Sequence, residues 1–486
     1  MTELSTLTAY ELHNLLKDKK ATSVEITQSC IDKINQTDGK INAFITVLPE
    51  KALEQARSAD EYISKNSSFN PLHGIPIAVK DNICTKDIKT TCASNILSNF
   101  VPTYDATVIK KIKDAGCIIL GKTNLDEFAM GSSTENSAFF TTKNPHDTSK
   151  VPGGSSGGSA ASSACNQTII SLGSDTGGSV RQPGAFTGTF ALKPTYGAVS
   201  RYGLVAFASS LDQIGPITKC AKDASVLLNV ISGFDEKDST SVNTPHPDYT
   251  KALNQSVKGL KIGIDENLFN EGLDTAVKNK ITEAVNIFKE LGAEIVKIKL
   301  TDLNYALASY YIIAPSEASS NLARYDGARY GIRDKSAGDI ITMFKKSRYE
   351  GFGNEVKRRI MIGTYALSAG YYEAYYKKAQ KVRFLIKESY NNALKNCDLI
   401  LTPTTPTLPF NIGEKIEDPL KMYLSDIYTI SVNLAGLPAA SLCCGYHGNL
   451  PVGMQLIGKN FDEFTILKAG DAFESAAGHY KQLRKL

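Results

Sequence analysis

The stretch 151–192 constrains what this chain can fold into more than any other part of it. Its only charged side chains are Asp175 and Arg181, and it is otherwise dense in Gly and Ser. By composition it could pass for a flexible linker. It also holds Thr168-Ile169-Ile170-Ser171-Leu172, an apolar, β-rich run that a linker has no reason to carry. An uncharged Gly/Ser segment that is nevertheless structured implies backbone packed closely against backbone, or against a ligand. The rest of the 486-residue chain is ordinary in bulk, with 42% hydrophobic and 21% charged residues. That balance excludes disorder, collagen, coiled coil and small disulfide scaffolds, and a chain this long buries a core without a staple.

The pattern around that stretch is α/β. Thr8 and Glu11 form a capping box with Leu7 and Leu12 as its staple, and a second box, Thr22 and Glu25, precedes Ile26, Cys30, Ile31 and Ile34. Ile75-Pro76-Ile77-Ala78-Val79 reads as a short buried strand ending at Lys80. Asp105 is placed to cap a helix that runs to Gly116, with the strand Cys117–Leu120 directly after it. Residues 260–264, 275–291 and 294–300 read as one βαβ unit, residues 304–390 as Tyr-rich helices, and the end returns to strands at 398–402, 439–444 and 452–457, then a helix near 464–477. Strands on both sides of a helical middle predict one mixed sheet fed from distant parts of a single domain, 1–486.

The net charge of +4 is too weak to argue for nucleic-acid binding by this chain. Nine cysteines, odd in number and never spaced Cys-x-x-Cys, read as thiols in a reducing compartment. The N-terminus has no leader layout and no run is apolar enough to span a bilayer, so the expectation is a soluble, cytoplasmic protein without membrane contact.

Three places can carry chemistry. Lys80 ends a predicted strand, Ser155 and Ser156 lie in Gly153-Gly-Ser-Ser-Gly-Gly-Ser159, and Ser179 lies in Asp175-Thr-Gly-Gly-Ser-Val-Arg181. A Ser after Thr-Gly-Gly sits among consecutive backbone N–H groups with few side chains in the way, as an oxyanion hole requires. Taken alone, the same run reads better as a tight strand-to-helix turn with Gly used for close packing. Gly153-x-Ser155-x-Gly157 and Gly154-x-Ser156-x-Gly158 match a nucleophile elbow, but that elbow needs a buried strand before it, and residues 148–152 do not read as one. None of the six histidines has metal-ligand spacing or lies in either Ser motif. Lys80 is the alternative base, provided that burial among uncharged residues keeps it neutral.

Together, Lys80, the 153–159 loop and Asp175–Arg181, in this order and at these separations, resemble the amidase signature family. The resemblance covers essentially the whole length and is densest from His73 to Pro183. It implies that family's α/β fold, one large mixed β-sheet covered by helices on both faces. It also implies N-terminal helices over 1–65, a catalytic core over 71–220 and a helical substrate-side segment over 304–390. By the same resemblance Ser179 is the nucleophile, Ser155 a proton relay from an unusual cis peptide, and Lys80 the base. The backbone at Thr176, Gly177, Gly178 and Ser179 is the oxyanion hole. Thr187 and Ala198 stand where many members have Cys and Arg.

Within the family, the runs Asn124–Phe139, Ser209–Pro216 and Gly370–Arg383 are similar to the branch that serves tRNA-dependent amidotransferases. That similarity implies a glutaminase with no cofactor or metal of its own. Its partners would be the B and C subunits of the amidotransferase. Ammonia would pass to the B subunit, which uses ATP and Mg²⁺ on mischarged Glu-tRNA(Gln), while the small C subunit wraps between the two. The similarity further implies that Arg359 meets the α-carboxylate of glutamine, Asp426 the α-ammonium, and that Tyr310 lines the pocket. From the residues alone, Arg358 is as good a candidate as Arg359. A free-standing amidase acting on another amide is the alternative. A non-catalytic scaffold is a third reading, and the intact Lys80, Ser155 and Ser179 argue against it.

Overall fold

A computed structural model describes residues 3–269, 272–301 and 303–486. Its strands in chain order are β1 (Phe44–Val47), β2 (Pro76–Lys80), β3 (Ile118–Thr123), β4 (Ile170–Asp175), β5 (Phe190–Lys193) and β6 (Gln213–Thr218), then β7 (Lys261–Ile264), β8 (Glu294–Lys297), β9 (Leu399–Pro403), β10 (Ala439–His447) and β11 (Leu450–Ile457). Among the described residues they form one mixed sheet of 11 strands in the order β1-β3-β2-β4-β6-β5-β10-β11-β9-β7-β8. β2 runs parallel to both β3 and β4, and β7 parallel to both β8 and β9.

Both faces of the sheet are covered, because successive strand residues feed different cores. Leu399 and Leu401 of β9 join one apolar cluster with the N-terminal helices and the helices Thr275–Glu290 and Glu463–Ala477. Ile400, between them, joins a second cluster with the helices Ala306–Asn321, Asn354–Ala366 and Lys378–Ala393. The second set lies in the segment that the sequence marks as helical and Tyr-rich.

Local signals act as their chemistry dictates in most places. Both capping boxes form, starting the helices Ala9–Lys17 and Ser23–Ile41. Asp105 does not cap a helix. The helix Thr107–Asp114 starts without a side-chain cap, and Asp105 instead accepts from the Lys86 N–H at 2.8 Å and pairs with Lys113. The strand-like run before Ser179 is β4, and the residues before Ser155 form no strand, so the elbow geometry is absent there.

The Gly/Ser stretch is almost wholly buried, as its composition demands. At Gly158 a Cβ would lie 2.5 Å from the carbonyl oxygens of Ala43 and Asn124, so backbone meets backbone there. Its two charges face each other. The guanidinium of Arg181 lies 3.0 Å from Asp175, with both side chains fully enclosed. Arg181 also donates to Gln455 of β11 at 2.6 Å, to the Thr429 carbonyl at 3.2 Å, and to Asn433. Burial alone would raise the Asp175 pKa, but Arg181, Lys193 and Asn433 outweigh it and hold the carboxyl well below the usual range.

Removing one partner of such a pair strands a charge in the interior. Arg181→Met should therefore lower unfolding free energy by about 3–5 kcal/mol in urea denaturation. Lys110→Ala, in the exposed pair Lys110–Asp114, should change it by less than about 1 kcal/mol. Because the folded-state Asp175 pKa is depressed, its stabilisation is in force above about pH 4 and is lost as pH falls toward the depressed value. Equal denaturation midpoints for the two variants at pH 7 would contradict this account.

Candidate active site

The parallel pairing of β2 with β4 decides where distant residues meet. Both strands end on the same edge of the sheet, β2 in Lys80 and β4 in Asp175, which leads into the turn 176–179. Ligands collect at the carboxyl ends of parallel strands for this reason. The loop 153–156 lies across that edge and opens the short, small-residue helix Gly157–Ala164.

Lys80 is fully buried, and its Nζ has three oxygen neighbours. These are Ser155 Oγ at 2.7 Å, Ser156 Oγ at 2.8 Å and the Ser174 carbonyl at 3.2 Å. Burial drives the Lys80 pKa down to about 7, although Asp126, Asp175 and Asp212 pull the other way.

The two serines differ in their remaining bonds. Ser156 Oγ donates to the Ser174 carbonyl at 3.1 Å and accepts from the Ser174 N–H at 3.3 Å, so its capacity is used. Among the described residues, Ser155 Oγ has Lys80 alone. The Gly154–Ser155 peptide is cis. The Ser156 N–H donates to the Ser179 carbonyl at 3.0 Å, which ties the two serine loops together. Ser179 is 8% exposed whereas Ser155 and Ser156 are at 0%, so Ser179 is the least enclosed of the three serines.

The turn before Ser179 is held from three sides. Asp212 accepts from Thr176 Oγ1 at 2.6 Å, and Thr429 Oγ1 donates to the Gly177 carbonyl at 2.7 Å. Gly178 has φ +131°, which L side chains rarely adopt, and its N–H donates to Asp175 at 2.8 Å. That bond occupies one of the donors anticipated for the oxyanion hole. The N–H groups of Thr176, Gly177 and Ser179 make no hydrogen bond among the described residues.

Arg359 and Asp426 reach the neighbourhood of this turn from other elements. Arg359 is 2% exposed and sits on the helix Asn354–Ala366. Its Nε donates to Glu355 at 2.8 Å, its Nη2 to the Gly131 carbonyl at 2.9 Å, and its guanidinium lies against the rings of Phe207, Tyr311 and Tyr423. Among the described residues Nη1 has no partner. Arg358 points the other way. Its side chain is 42% exposed and pairs with Glu355. The buried stripe Val356, Arg359, Gly363, Ala366 follows helical spacing, a signal that separates the two arginines in the sequence itself.

One oxygen of Asp426 contacts Ser132 Oγ, while its Oδ1 is buried without a partner among the described residues. Burial pushes its carboxyl up to about 7. Tyr310 packs on the turn 176–179, since a Cβ on Gly177 would lie 2.7 Å from its ring. A cavity of about 360 Å³ lies on the Arg358 side of Glu355, lined by Glu127, Gly131, Glu355, Arg358 and Tyr423 among others, and Ser179, Tyr310, Arg359 and Asp426 are not part of its lining.

The structure thus brings Lys80, Ser155 and Ser179 to one edge, and Tyr310, Arg359 and Asp426 around it. The histidines lie elsewhere. His146 bonds the Thr187 carbonyl, His73 packs on Tyr62, and His246 bonds Tyr249. Thr187 Oγ1 is used locally, on the Pro183 carbonyl. Among the described residues no group of three or more His, Cys, Asp or Glu side chains could hold a metal, and no helix is long and apolar enough to cross a membrane. Sequence reasoning missed Ser156 as the second anchor of Lys80, and Glu127 and Asp212, whose roles depend on contacts across the fold.

A relative from Heliobacterium modesticaldum, described as the A subunit of glutamyl-tRNA(Gln) amidotransferase, is 56% identical over 484 residues, covering 100% of this chain and 99% of that protein. The crystal structure of the corresponding A subunit from Thermotoga maritima matches with a TM-score of 0.82 at 45% identity, over 98% of this chain and 96% of that one. The native peptide amidase of Stenotrophomonas maltophilia matches with a TM-score of 0.81 at 27% identity, over 96% of each chain. The Amidase family model matches residues 25–467. With that match spanning nearly its whole length, the chain belongs to the amidase signature family.

Proposed function

We propose that the chain is the glutamine-hydrolysing component of a tRNA-dependent amidotransferase and that Ser179, Ser155 and Lys80 carry out the hydrolysis. The observation that carries the chemistry is the 2.7 Å contact of a buried Lys80 with Ser155, a hydroxyl with no other partner among the described residues. Neutral Lys80 has two N–H donors and one lone pair. Ser156 Oγ and the Ser174 carbonyl take the two donors. The lone pair is left for the Ser155 O–H, and Ser155 Oγ can then accept the proton of Ser179. Proton transfer thus runs Ser179 to Ser155 to Lys80 as Ser179 Oγ attacks the amide carbon.

The oxyanion then forms beside the N–H groups of Thr176, Gly177 and Ser179, since Gly178 is engaged by Asp175. Collapse of the adduct sends the proton back through Ser155 to the leaving nitrogen, releasing ammonia. Water, deprotonated along the same route, frees glutamate from Ser179.

Glutamine carries two α-charges, and the pocket offers one complement to each. The Arg359 Nη1 can donate to the carboxylate. The buried, unpartnered Oδ1 of Asp426 can accept from the ammonium. A pocket for a neutral amide has no need of either group, which favours glutaminase over a free-standing amidase. The relatives named as amidotransferase A subunits support the assembly part of the reading. In that assembly the ammonia passes to the B subunit, which uses ATP and Mg²⁺ on Glu-tRNA(Gln), and the C subunit joins the two. The segment 304–390, as the substrate-side part, and cytoplasmic residence belong to the same reading.

Three measurements test it. Ser179→Ala should lower glutamine hydrolysis by about 10⁴-fold or more with an unchanged melting profile, and a serine-directed electrophile should label the peptide containing Ser179. Labelling of Ser155 or Ser156 instead would overturn the assignment.

With Lys80 titrating near 7, the neutral form dominates above that value. The log of kcat/KM should therefore fall as pH drops below about 7, and Lys80→Arg should not restore activity because guanidinium stays charged. A flat profile from about pH 6 to pH 9 with chemistry limiting would exclude a lysine base.

Arg359→Ala should cost about 2–5 kcal/mol in kcat/KM for glutamine, the range for one lost partner of a buried charge contact. Arg358→Ala, on the exposed side of the helix, should cost less than about 1 kcal/mol. Equal losses for the two, or none for Arg359 and Asp426, would return the free-standing amidase to first place.

A further inference from the structure

The run Asn124–Phe139 contributes no group to the proposed proton path, yet it touches the Ser155 loop, Arg359 and Asp426. Asp126 sits beneath the serine loop, where its N–H donates to the Ser155 carbonyl at 3.3 Å. Its carboxylate accepts from Thr134 N–H at 2.8 Å and Asn136 N–H at 3.2 Å, which folds the run back on itself. Gly131 gives its carbonyl to Arg359, and Ser132 gives its hydroxyl to Asp426. The adjacent Glu127 points away from the serines, toward the helix Asn354–Ala366.

The Glu127 side chain is 3% exposed and is fixed at both oxygens. Oε1 contacts Ser94 Oγ, which also donates to the Gly351 carbonyl at 3.2 Å. Oε2 accepts from the Gly353 N–H at 2.8 Å. Gly353 is the N-cap residue of the helix that carries Arg359. The approach is so close that a Cβ on Gly353 would lie 2.4 Å from Oε2. A carboxylate there also faces the positive end of the helix dipole. The backbone after Glu127 is unusual too, with Phe128 at φ 49° and Ala129 at φ 62°, both left-handed without being glycine.

Resting on the glutaminase reading, we propose that Glu127 is a positioning residue for substrate specificity. It fixes the N-terminus of the Arg359 helix to the same short run that carries the Ser155 loop on Asp126. Consecutive carboxylates, Asp126 and Glu127, thus set the distance between the reacting serines and the arginine that reads the α-carboxylate. A helix anchored at its N-terminus cannot slide or tilt there. Arg359, within the second turn, keeps its register with the Gly131 carbonyl. Loss of the anchor should act on glutamine, which uses Arg359, and not on an amide without α-charges.

The test is steady-state hydrolysis by the full-length chain of glutamine and of butyramide, which has the reacting amide but no α-carboxylate or α-ammonium. The variants are Glu127→Ala, Glu127→Gln, Arg359→Ala and the double variant Glu127→Ala/Arg359→Ala. Glu127→Ala should raise the glutamine KM by about 10–100-fold, the scale of a misplacement of about 1 Å, and change kcat/KM for butyramide by less than about threefold. Glu127→Gln keeps an acceptor for the Gly353 N–H, and its amide N–H can donate to Ser94 Oγ while the Ser94 hydroxyl keeps the Gly351 carbonyl, so it should restore most of the glutamine KM. The double variant should be no worse than Arg359→Ala, because both act through one contact.

Additive losses, or equal losses on glutamine and butyramide, would make Glu127 an ordinary core residue and overturn the proposal. A normal glutamine KM in Glu127→Ala beside a raised one in Arg359→Ala would overturn the proposal and leave the glutaminase reading intact. A normal KM in Arg359→Ala would overturn both. If Glu127→Ala does not fold, Glu127→Asp decides the matter. It draws the carboxylate back from Gly353 and must raise the glutamine KM while sparing butyramide, or the proposal falls.

Discussion

Asp175 and Arg181 are the only charges in the stretch 151–192, and by pairing inside it they let a region of backbone and small hydroxyls be both buried and defined. Backbone packed this closely has little side-chain contact to specify its course. The pair supplies that specification by hydrogen bonding. Asp175 gathers the N–H groups of Gly178 and Val180, which bends the chain around Ser179. Arg181 reaches outward to Gln455 on β11 and to the Thr429 carbonyl, next to the Asp426 segment. One ion pair therefore connects the turn, the strand β11 and the segment that holds Asp426 and Thr429. Charge-assisted bonds in a water-free interior are strong enough for this, and a single missing partner is costly.

The same lack of charge that makes the ion pair necessary allows Lys80 to be neutral near pH 7, as the proposed mechanism requires of a base. An ammonium among hydroxyls and glycines loses hydration with only partial compensation from carboxylates farther off, and its pKa falls to about 7. Ser156 and the Ser174 carbonyl give the neutral amine two acceptors for its N–H groups. In the proposed mechanism its lone pair is thereby left for Ser155 without any charged orienting group. A histidine would not fit this arrangement, since its ring has one N–H in the neutral state and no way to anchor at two acceptors while accepting a proton.

Most of the secondary structure is legible in the sequence, because it rests on signals that act over a few residues. The capping boxes at Thr8 and Thr22 and the buried runs that form β2, β3 and β4 are of that kind. Asp105 is the exception. It stands in a cap-like place, but the Lys86 N–H and Lys113 compete for its carboxylate, and that competition is set by tertiary approach. Lys80 and the serines are legible as types of residue that could react, and the resemblance supplies the roles expected of them. Their meeting depends on the parallel pairing of β2 with β4, which no local pattern encodes. Residue type alone does not separate Arg358 from Arg359, although the buried stripe Val356, Arg359, Gly363, Ala366 distinguishes them. Glu127 gives no signal at all, since its partner Gly353 is more than two hundred residues away.

The helices of the segment 304–390 are registered to the turn 176–179 through close glycine contacts. At Gly363 a Cβ would lie 1.9 Å from the Pro315 carbonyl, so the helix Asn354–Ala366 meets the helix Ala306–Asn321 with no side chain between them. Tyr310, on the latter helix, rests on Gly177 in the turn itself. Arg359 is thus located relative to Ser179 by glycine contacts at one end of its helix and a carboxylate at the other. Backbone contacts of this sort have almost no slack, unlike long side chains that can change rotamer. The proposed pocket, reading two charges at fixed separation from a scissile amide, needs that rigidity, because the selectivity of an arginine depends on where a carboxylate can reach it.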